Sequence, residues 1–353
     1  MASPGRPGRF DGPVRTLQIV LGALVSGLFL WLAFGEIHLD TVVELASGWP
    51  LWPIAMSLLL QVVAFALRLI RWGLAIRHLG EIEWGRLLSI GSVGLSAVFL
   101  LPVRLGELVR PSLVAEDSAI DFGKASATVV MERLVDGWIM SAAMFATLLA
   151  LGEQAGNSGL VAGAYLFAAL FLAAGALLAV GTIWRQRIAA RIESLLRRLS
   201  PKLAKWAARL ALGVLQALRH LAERPILGRY LLLSLALWLV EAGSIYMLFG
   251  VLPVKPPWLA ALAVLSALVI GSAVPSGPTQ IGVFEYAVIV GLGLTSTAPA
   301  QAAAVGLLLH SLETSTVLAF GLAGTWAGGL RLQRLLGLGP QATQIQRMKR
   351  AEK

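Results

Sequence analysis

Cysteine is absent from this 353-residue chain, charged residues make up only 14%, and there are four histidines. The missing thiols exclude disulfides, thiol catalysis, zinc–thiolate sites and iron–sulfur clusters. The missing charge excludes a soluble globular domain, which needs roughly 25% charged residues to clothe its surface. Long low-complexity stretches are wanting too. What remains is apolar: hydrophobic residues are 57% and the mean hydropathy is +0.78. The net charge of +10 must then sit in a few connections, where its placement reports orientation.

A spanning helix needs about 20 mostly apolar residues, because roughly 30 Å of hydrocarbon leaves an open backbone without hydrogen-bond partners. Six segments meet or approach this length: 17–34, 51–70, 128–151, 160–183, 230–250 and 300–327. Three shorter apolar pieces, 87–101, 258–274 and 281–294, are rich in Gly or Ser. The last two are separated by Pro275-Ser276-Gly277-Pro278. The basic start (Arg6, Arg9, Arg15) also fits a signal peptide, but no small-x-small site follows the long run, so an uncleaved first span is expected.

Residues 1–16 carry three Arg against Asp11, and 35–49 carry Glu36, Asp40 and Glu44 with no Lys or Arg. Residues 71–86 carry Arg71, Arg77 and Arg86 against Glu81 and Glu83. Residues 184–229 carry eleven Lys or Arg against two Glu, and the tail from Arg331 carries six against one. The positive-inside rule puts both termini, 71–86 and 184–229 in the cytoplasm. Parity then makes 87–101 return to the cytoplasmic side, and 258–274 with 281–294 a hairpin from outside. Full crossing by both of those last pieces satisfies parity equally and gives eight spans. The expected fold is all-α: a polytopic integral membrane helical bundle of about six spans plus re-entrant broken helices. It divides into a basic tail (1–16), a first membrane half (17–183), a basic amphipathic linker (184–229), a second membrane half (230–330) and a basic tail (331–353).

The two short regions share a pattern. Gly91-Ser92 precedes Pro102, Gly106 and Glu107; Gly271-Ser272 precedes Pro275, Gly282 and Glu285. An inverted repeat of broken helices meeting at the midplane is a transporter arrangement, in which half-helix ends offer dipoles to a charged ligand. Recurrent Gly, Ser and Pro at ordinary helix crossings is the plainer reading. Pro102, Gly106, Pro275, Gly277, Pro278 and Gly282 are the expected hinge positions, since Pro ends a helix and Gly allows close approach.

Charges inside apolar stretches cost roughly 2.5–3.5 kcal/mol each on insertion scales and need partners or water. Arg104, Glu107 and Arg110 lie three residues apart, and Glu132, Arg133 and Asp136 interrupt a span, with Glu132 and Asp136 on one helical face. One reading is a polar cavity whose arginines present forks to a phosphate or carboxylate. A self-satisfied ion-pair network that locks two helices, or a position at headgroup level, accounts for the same residues. Glu285, Glu241, His310 and Glu313 are further ionisable residues at membrane depth, and the last three suit a proton relay. A hydrogen-bonded packing role is the bland reading of His310.

In the linker, Ile188, Ile192, Leu195, Leu196 and Leu199 form an apolar stripe among arginines, and Ser200-Pro201 reads as a helix start. Interfacial helices on anionic lipid are expected there. Nucleic acid is not expected as a partner, because the stripe and the membrane-bound flanks argue for lipid.

Pro102-x-Arg104-x-Gly106-Glu107-x-x-Arg110, Glu132-Arg133-Leu134-x-Asp136 and Pro275-x-x-Pro278-x-x-x-Gly282-x-x-Glu285 together resemble the lysylphosphatidylglycerol synthase transmembrane region, or flippase-like domain family. That family includes the membrane half of the multiple peptide resistance factor and archaeal relatives linked to glycosylation. The resemblance runs over roughly 16–330; the chain has His310 where it implies an arginine. It implies translocation of a lipid or lipid-linked molecule, in a bacterial plasma membrane, with Arg104, Glu107, Arg110, Glu132, Arg133, Asp136 and Glu285 at the substrate. It does not imply aminoacyl transfer, which in the bifunctional relatives belongs to a separate soluble domain following the membrane region; with only a short basic stretch after Leu330, that activity is not expected.

No GxxxxGK[ST] loop is present, so the energy is expected from a gradient or from downhill movement. No HExxH or paired-Asp motif is present, and Val274 breaks a GxSx reading around Ser276, so neither a metal, a cofactor nor catalysis is expected. A membrane-embedded lipid-modifying enzyme and a non-transporting lipid-binding protein are the alternatives.

Overall fold

The computed structural model describes residues 11–35, 37, 39–101, 106–151, 158–198, 200–222, 226–274 and 276–328. Arg104 and the expected hinges Pro102 and Pro275 lie outside them, as do most of the two tails. Among the described residues all regular structure is helical. The order is α1 (Asp11–Phe34), α2 (Leu39–Ala46), α3 (Leu51–Leu79), α4 (Trp84–Leu100), α5 (Val109–Asp117), α6 (Phe122–Leu151) and α7 (Ser158–Ile183). It continues with α8 (Arg185–Leu196), α9 (Pro201–Leu221), α10 (Ile226–Leu248), α11 (Trp258–Gly271), α12 (Val283–Gly293) and α13 (Pro299–Gly328).

The protein is a polytopic membrane helical bundle. Five helices are long and apolar enough to cross a bilayer, at Leu51–Leu79, Phe122–Ala150, Ala162–Ile183, Ile226–Val251 and Pro299–Gly328. The expected first span falls in α1, a 24-residue helix whose Gly22–Phe34 part ranks among the shorter apolar helices. Outward-facing Trp31, Leu149, Leu177 and Trp326 are widely exposed, as they must be where lipid rather than water is the neighbour. The span α3 runs nine residues past the expected end at Ile70, burying Arg71, Trp72, Ala75 and Ile76. Arg71, counted above with the loop, therefore lies inside a span.

The short helices form two hairpins. In the first, α5 folds back along α4: Gly106 abuts Ala97, Arg110 lies over Gly94, and Asp117 pairs with Arg86 at 2.6 Å. A side chain at 106 would collide with the backbone of Ala97 and Val98, so glycine is required for the return. In the second, Gly271 lies beside Val283 and Ala287, and Gly291 beside Val264, so α12 runs back along α11. The 14 and 11 residues of α11 and α12 span about 21 and 16 Å, short of a ~30 Å hydrocarbon layer. The helices of both hairpins fall short of the length of a span, as expected of re-entrant elements.

The hairpins open to opposite faces. Arg86, at the start of α4, donates to the Gly328 carbonyl at the end of α13, so the first opens on the face where α13 ends. The second opens where α13 begins. The plan α3–hairpin–α6 is thus repeated upside down as α10–hairpin–α13. The packing repeats too: α3 lies against α10, α4 against α13, and α11 against α6.

Outside this frame, α7 packs on α6, with Phe171 over Gly137 and Trp138 over Gly175. Helices α8 and α9 pair on the basic face, and Ser200 caps α9 by accepting from the Leu203 amide at 3.4 Å. Leu195, Leu203 and Trp206 are exposed, while Ala217, Leu218 and Leu221 bury against Ala75, Met131 and Tyr230 of the bundle.

Candidate functional site

Between the two hairpins, α3, α6, α10 and α13 line a partly open cavity of about 130 Å³. The apolar lining comes from α3 and both hairpins, with Phe65, Leu95, Val98, Phe99, Leu268 and Val269. The ionic wall comes from the spans: Arg68 from α3, Glu132, Arg133 and Asp136 from α6, Glu241 from α10 and Glu313 from α13.

The ionic wall stands on two arginines with no exposed side chain. Arg71 donates to both oxygens of Asp136, at 2.5 and 3.2 Å, and to the Ser234 hydroxyl at 3.1 Å. The Tyr230 ring lies 5.3 Å from its guanidinium carbon. Arg110 forks onto Glu132, at 3.1 and 3.3 Å, with Trp72 5.6 Å below. Such forks are the strong form of an ion pair, and the aromatic faces give each cation a further partner where water is excluded. Arg71 also lies 3.7 Å from Glu132, and Trp238 donates to Asp136 at 2.9 Å. The spacing of Glu132 and Asp136 puts both carboxylates on one face of α6, over α3 and α5.

Arg133 differs from these. Its side chain is 36% exposed; it reaches Glu132 at 3.3 Å and Glu107 at 3.5 Å while facing the cavity. Arg68 donates to Glu241 at 2.7 Å, with Trp238 5.8 Å away. Glu107, Arg110, Glu132, Arg133 and Asp136, expected together, are together. Arg110 is enclosed and committed to Glu132 rather than open to the cavity. Glu241 and Glu313 share the cavity wall, whereas His310 lies behind it.

Glu285 also lies behind the wall. It is buried at the start of α12, accepting from the Gly282 amide at 2.7 Å and meeting His310 Nδ1 at 2.7 Å. The other ring nitrogen of His310 meets the Thr279 carbonyl at 2.8 Å. Both ring nitrogens are therefore occupied, and neither is bonded to Ser276. Pro278 opens a single 3-10 turn, Pro278–Gln280, in which Thr279 and Gln280 have φ of 56° and 62°. Gly282, at φ 88°, rests on the backbone of α1 near Ser26 and Leu30, and the Gly277 amide donates to the Ser26 hydroxyl at 3.0 Å. Among the described residues, no three His, Asp or Glu side chains converge to hold a metal ion.

Arg68, Ser234, Tyr230 and Trp238 were not among the expected site residues, and Arg71 was expected only as a loop charge. Arg68 and Arg71 stand at i,i+3 in or beside an apolar run, the signal already used for Glu132 and Asp136.

The family described as "Lysylphosphatidylglycerol synthase TM region" matches residues 19–321. A curated protein named "Glycosyltransferase AglD", from Haloferax volcanii, is 25% identical over 338 residues, covering 87% of this chain and 54% of its own length. The chain thus spans about half the length of that relative. With the match running through both hairpins and all of the ionic wall, the chain belongs to the family of lysylphosphatidylglycerol synthase transmembrane regions.

Proposed function

We propose that this protein moves a lipid or lipid-linked molecule between the leaflets of a bacterial plasma membrane, with its termini and the 184–229 linker in the cytoplasm. The observation that carries this reading is Arg133, a cation open to a cavity lined by both ionic and apolar side chains. A lipid phosphate suits the ionic lining and the start of its tail the apolar lining. Arg133, with Arg104 by family resemblance, receives the phosphate; Arg71 and Arg110 hold Glu132 and Asp136 in place. The inverted hairpins supply the two gates, in the manner of transporters built from opposed repeats. Basic residues along α8 and α9 hold anionic lipid at the same face.

A second reading, lipid modification, draws on the name of the archaeal relative. Purified protein in vesicles of phosphatidylethanolamine and phosphatidylglycerol, each with a tail fluorophore, separates the two. Transport predicts that probe crosses chemically unchanged, and that Arg133→Ala and Glu107→Ala slow it at least about tenfold, the loss of one charge-assisted contact. An altered mass for the recovered lipid supports modification. Binding without crossing supports an accessory role.

A further inference from the structure

Four arginines in and beneath the cavity wall each have their own carboxylate: Arg71 with Asp136, Arg110 with Glu132, Arg133 with Glu107 and Arg68 with Glu241. Glu313 is the fifth carboxylate of the group, and none of these cations is paired with it. It lies on the cavity wall, within electrostatic range of Arg68 on α3, Glu241 on α10 and His310 one turn before it on α13. His310 is itself engaged by Glu285 of α12. The remaining ionic groups of the wall, Glu132, Arg133 and Asp136, come from α6. From α4, which packs along α13, the wall receives only Leu95, Val98 and Phe99. The acids of α2, Asp40 and Glu44, are not part of it.

We propose that Glu313 is the proton-binding site of the cavity, and that Arg68 passes from Glu241 to Glu313 when the proton leaves. The proposal rests on the transport reading for its purpose, not for its chemistry. An unpaired carboxylate beside Glu241 in a membrane interior is costly, and a proton removes that cost. In the arrangement described, Arg68 is committed to Glu241 and Glu313 holds the proton. Loss of the proton makes Glu313 an acceptor that competes with Glu241 for the Arg68 guanidinium, which lines the same cavity. Because Arg68 and Glu313 stand on different helices of the two repeats, the exchange ties protonation to the packing of α3, α10 and α13. The site suits a proton better than a metal cation: no three acids converge, and Arg68 repels a second positive charge.

Infrared difference titration of the whole protein in nanodiscs tests the chemistry. Raising the pH should abolish a protonated-carboxyl carbonyl band that is missing in Glu313→Gln; in Glu241→Gln, which frees Arg68 for Glu313, the band should vanish at a lower pH than in the unsubstituted protein. A band that persists in Glu313→Gln, or that follows sodium rather than pH, overturns the proposal. Glu313→Asp, which keeps the acid, should retain a shifted band and guards against a folding defect. In vesicles carrying fluorescent phosphatidylglycerol, one proton per lipid allows up to about tenfold accumulation per pH unit of imposed gradient. That ratio should fall to unity in Glu313→Gln. Gradient-driven accumulation that survives the substitution counts against the proposal; a wild-type protein that moves no probe counts against the transport reading, and the infrared band still decides the proton site.

Discussion

In the first half of the molecule, the returning helix of the hairpin is tied to the following span by Arg110 and Glu132; in the second, Glu285 and His310 occupy the corresponding places. The polarity is reversed, with the cation on the hairpin in one and on the span in the other. The chemistry differs as well. Arginine stays charged at any accessible pH, so the first tie is permanent. Histidine can be neutral, and a neutral ring has one N–H for two acceptors, the Glu285 carboxylate and the Thr279 carbonyl. The glycine hinges differ in the same sense. Gly106 rests on α4, its own partner, whereas Gly282 rests on α1, outside the repeat. One hairpin is locked within itself; the other is held at a strained tip by a titratable pair and a neighbouring helix.

The largest expected effect that separates the halves is on stability. Glu132→Ala should destabilise the bundle by about 3–5 kcal/mol, because it strands the buried cation of Arg110 and weakens that of Arg71. Glu285→Ala should cost less, about 1–3 kcal/mol, since His310 can shed its charge. Denaturant unfolding in detergent compares them, and equal losses would erase the distinction between a permanent and a titratable tie. Gly282→Ala should cost about 1–3 kcal/mol through its left-handed backbone and its contact with α1. Cross-linking yield between cysteines introduced on α1 and α12 should fall with it.

The pH dependence also differs by half. Deprotonating the His310–Glu285 pair removes one of two hydrogen bonds, so the α12 tip should loosen on the alkaline side and α5 should not. After correction for intrinsic rates, amide hydrogen exchange should rise with pH around 279–286 alone, and His310→Arg should suppress the rise. Smallest of all, Arg86→Ala removes a part-exposed pair with Asp117 and should cost about 0.2–1 kcal/mol. A larger loss would show that the mouth of the first hairpin, tied to Gly328 as well, bears more of the fold than its tip.

The membrane class, five of the six expected spans and the short apolar helices of both hairpins were legible in the chain, because apolar length against hydrocarbon thickness is a local property. So were the carboxylates of α6, whose i,i+4 spacing places them on one face whatever lies opposite. Arg71 was misplaced for the same reason: a charge after an apolar run looks like the end of a span until its partner is known. The partner, Asp136, is 65 residues away. Likewise, nothing local separates Arg110 from Arg133, two arginines in apolar surroundings. One is enclosed under Trp72 and the other opens to the cavity because of how α5 lies on α4 and α6.

What the amino-acid order determined alone was a hydrophobic, cysteine-free chain of helices, punctuated by Gly and Pro, with charges too costly to leave unanswered in lipid. Which charge answers which was decided only by tertiary packing. Solvation and helix formation depend on neighbours a turn or two away, whereas an ion pair inside a membrane depends on which distant helix the fold brings within 3 or 4 Å.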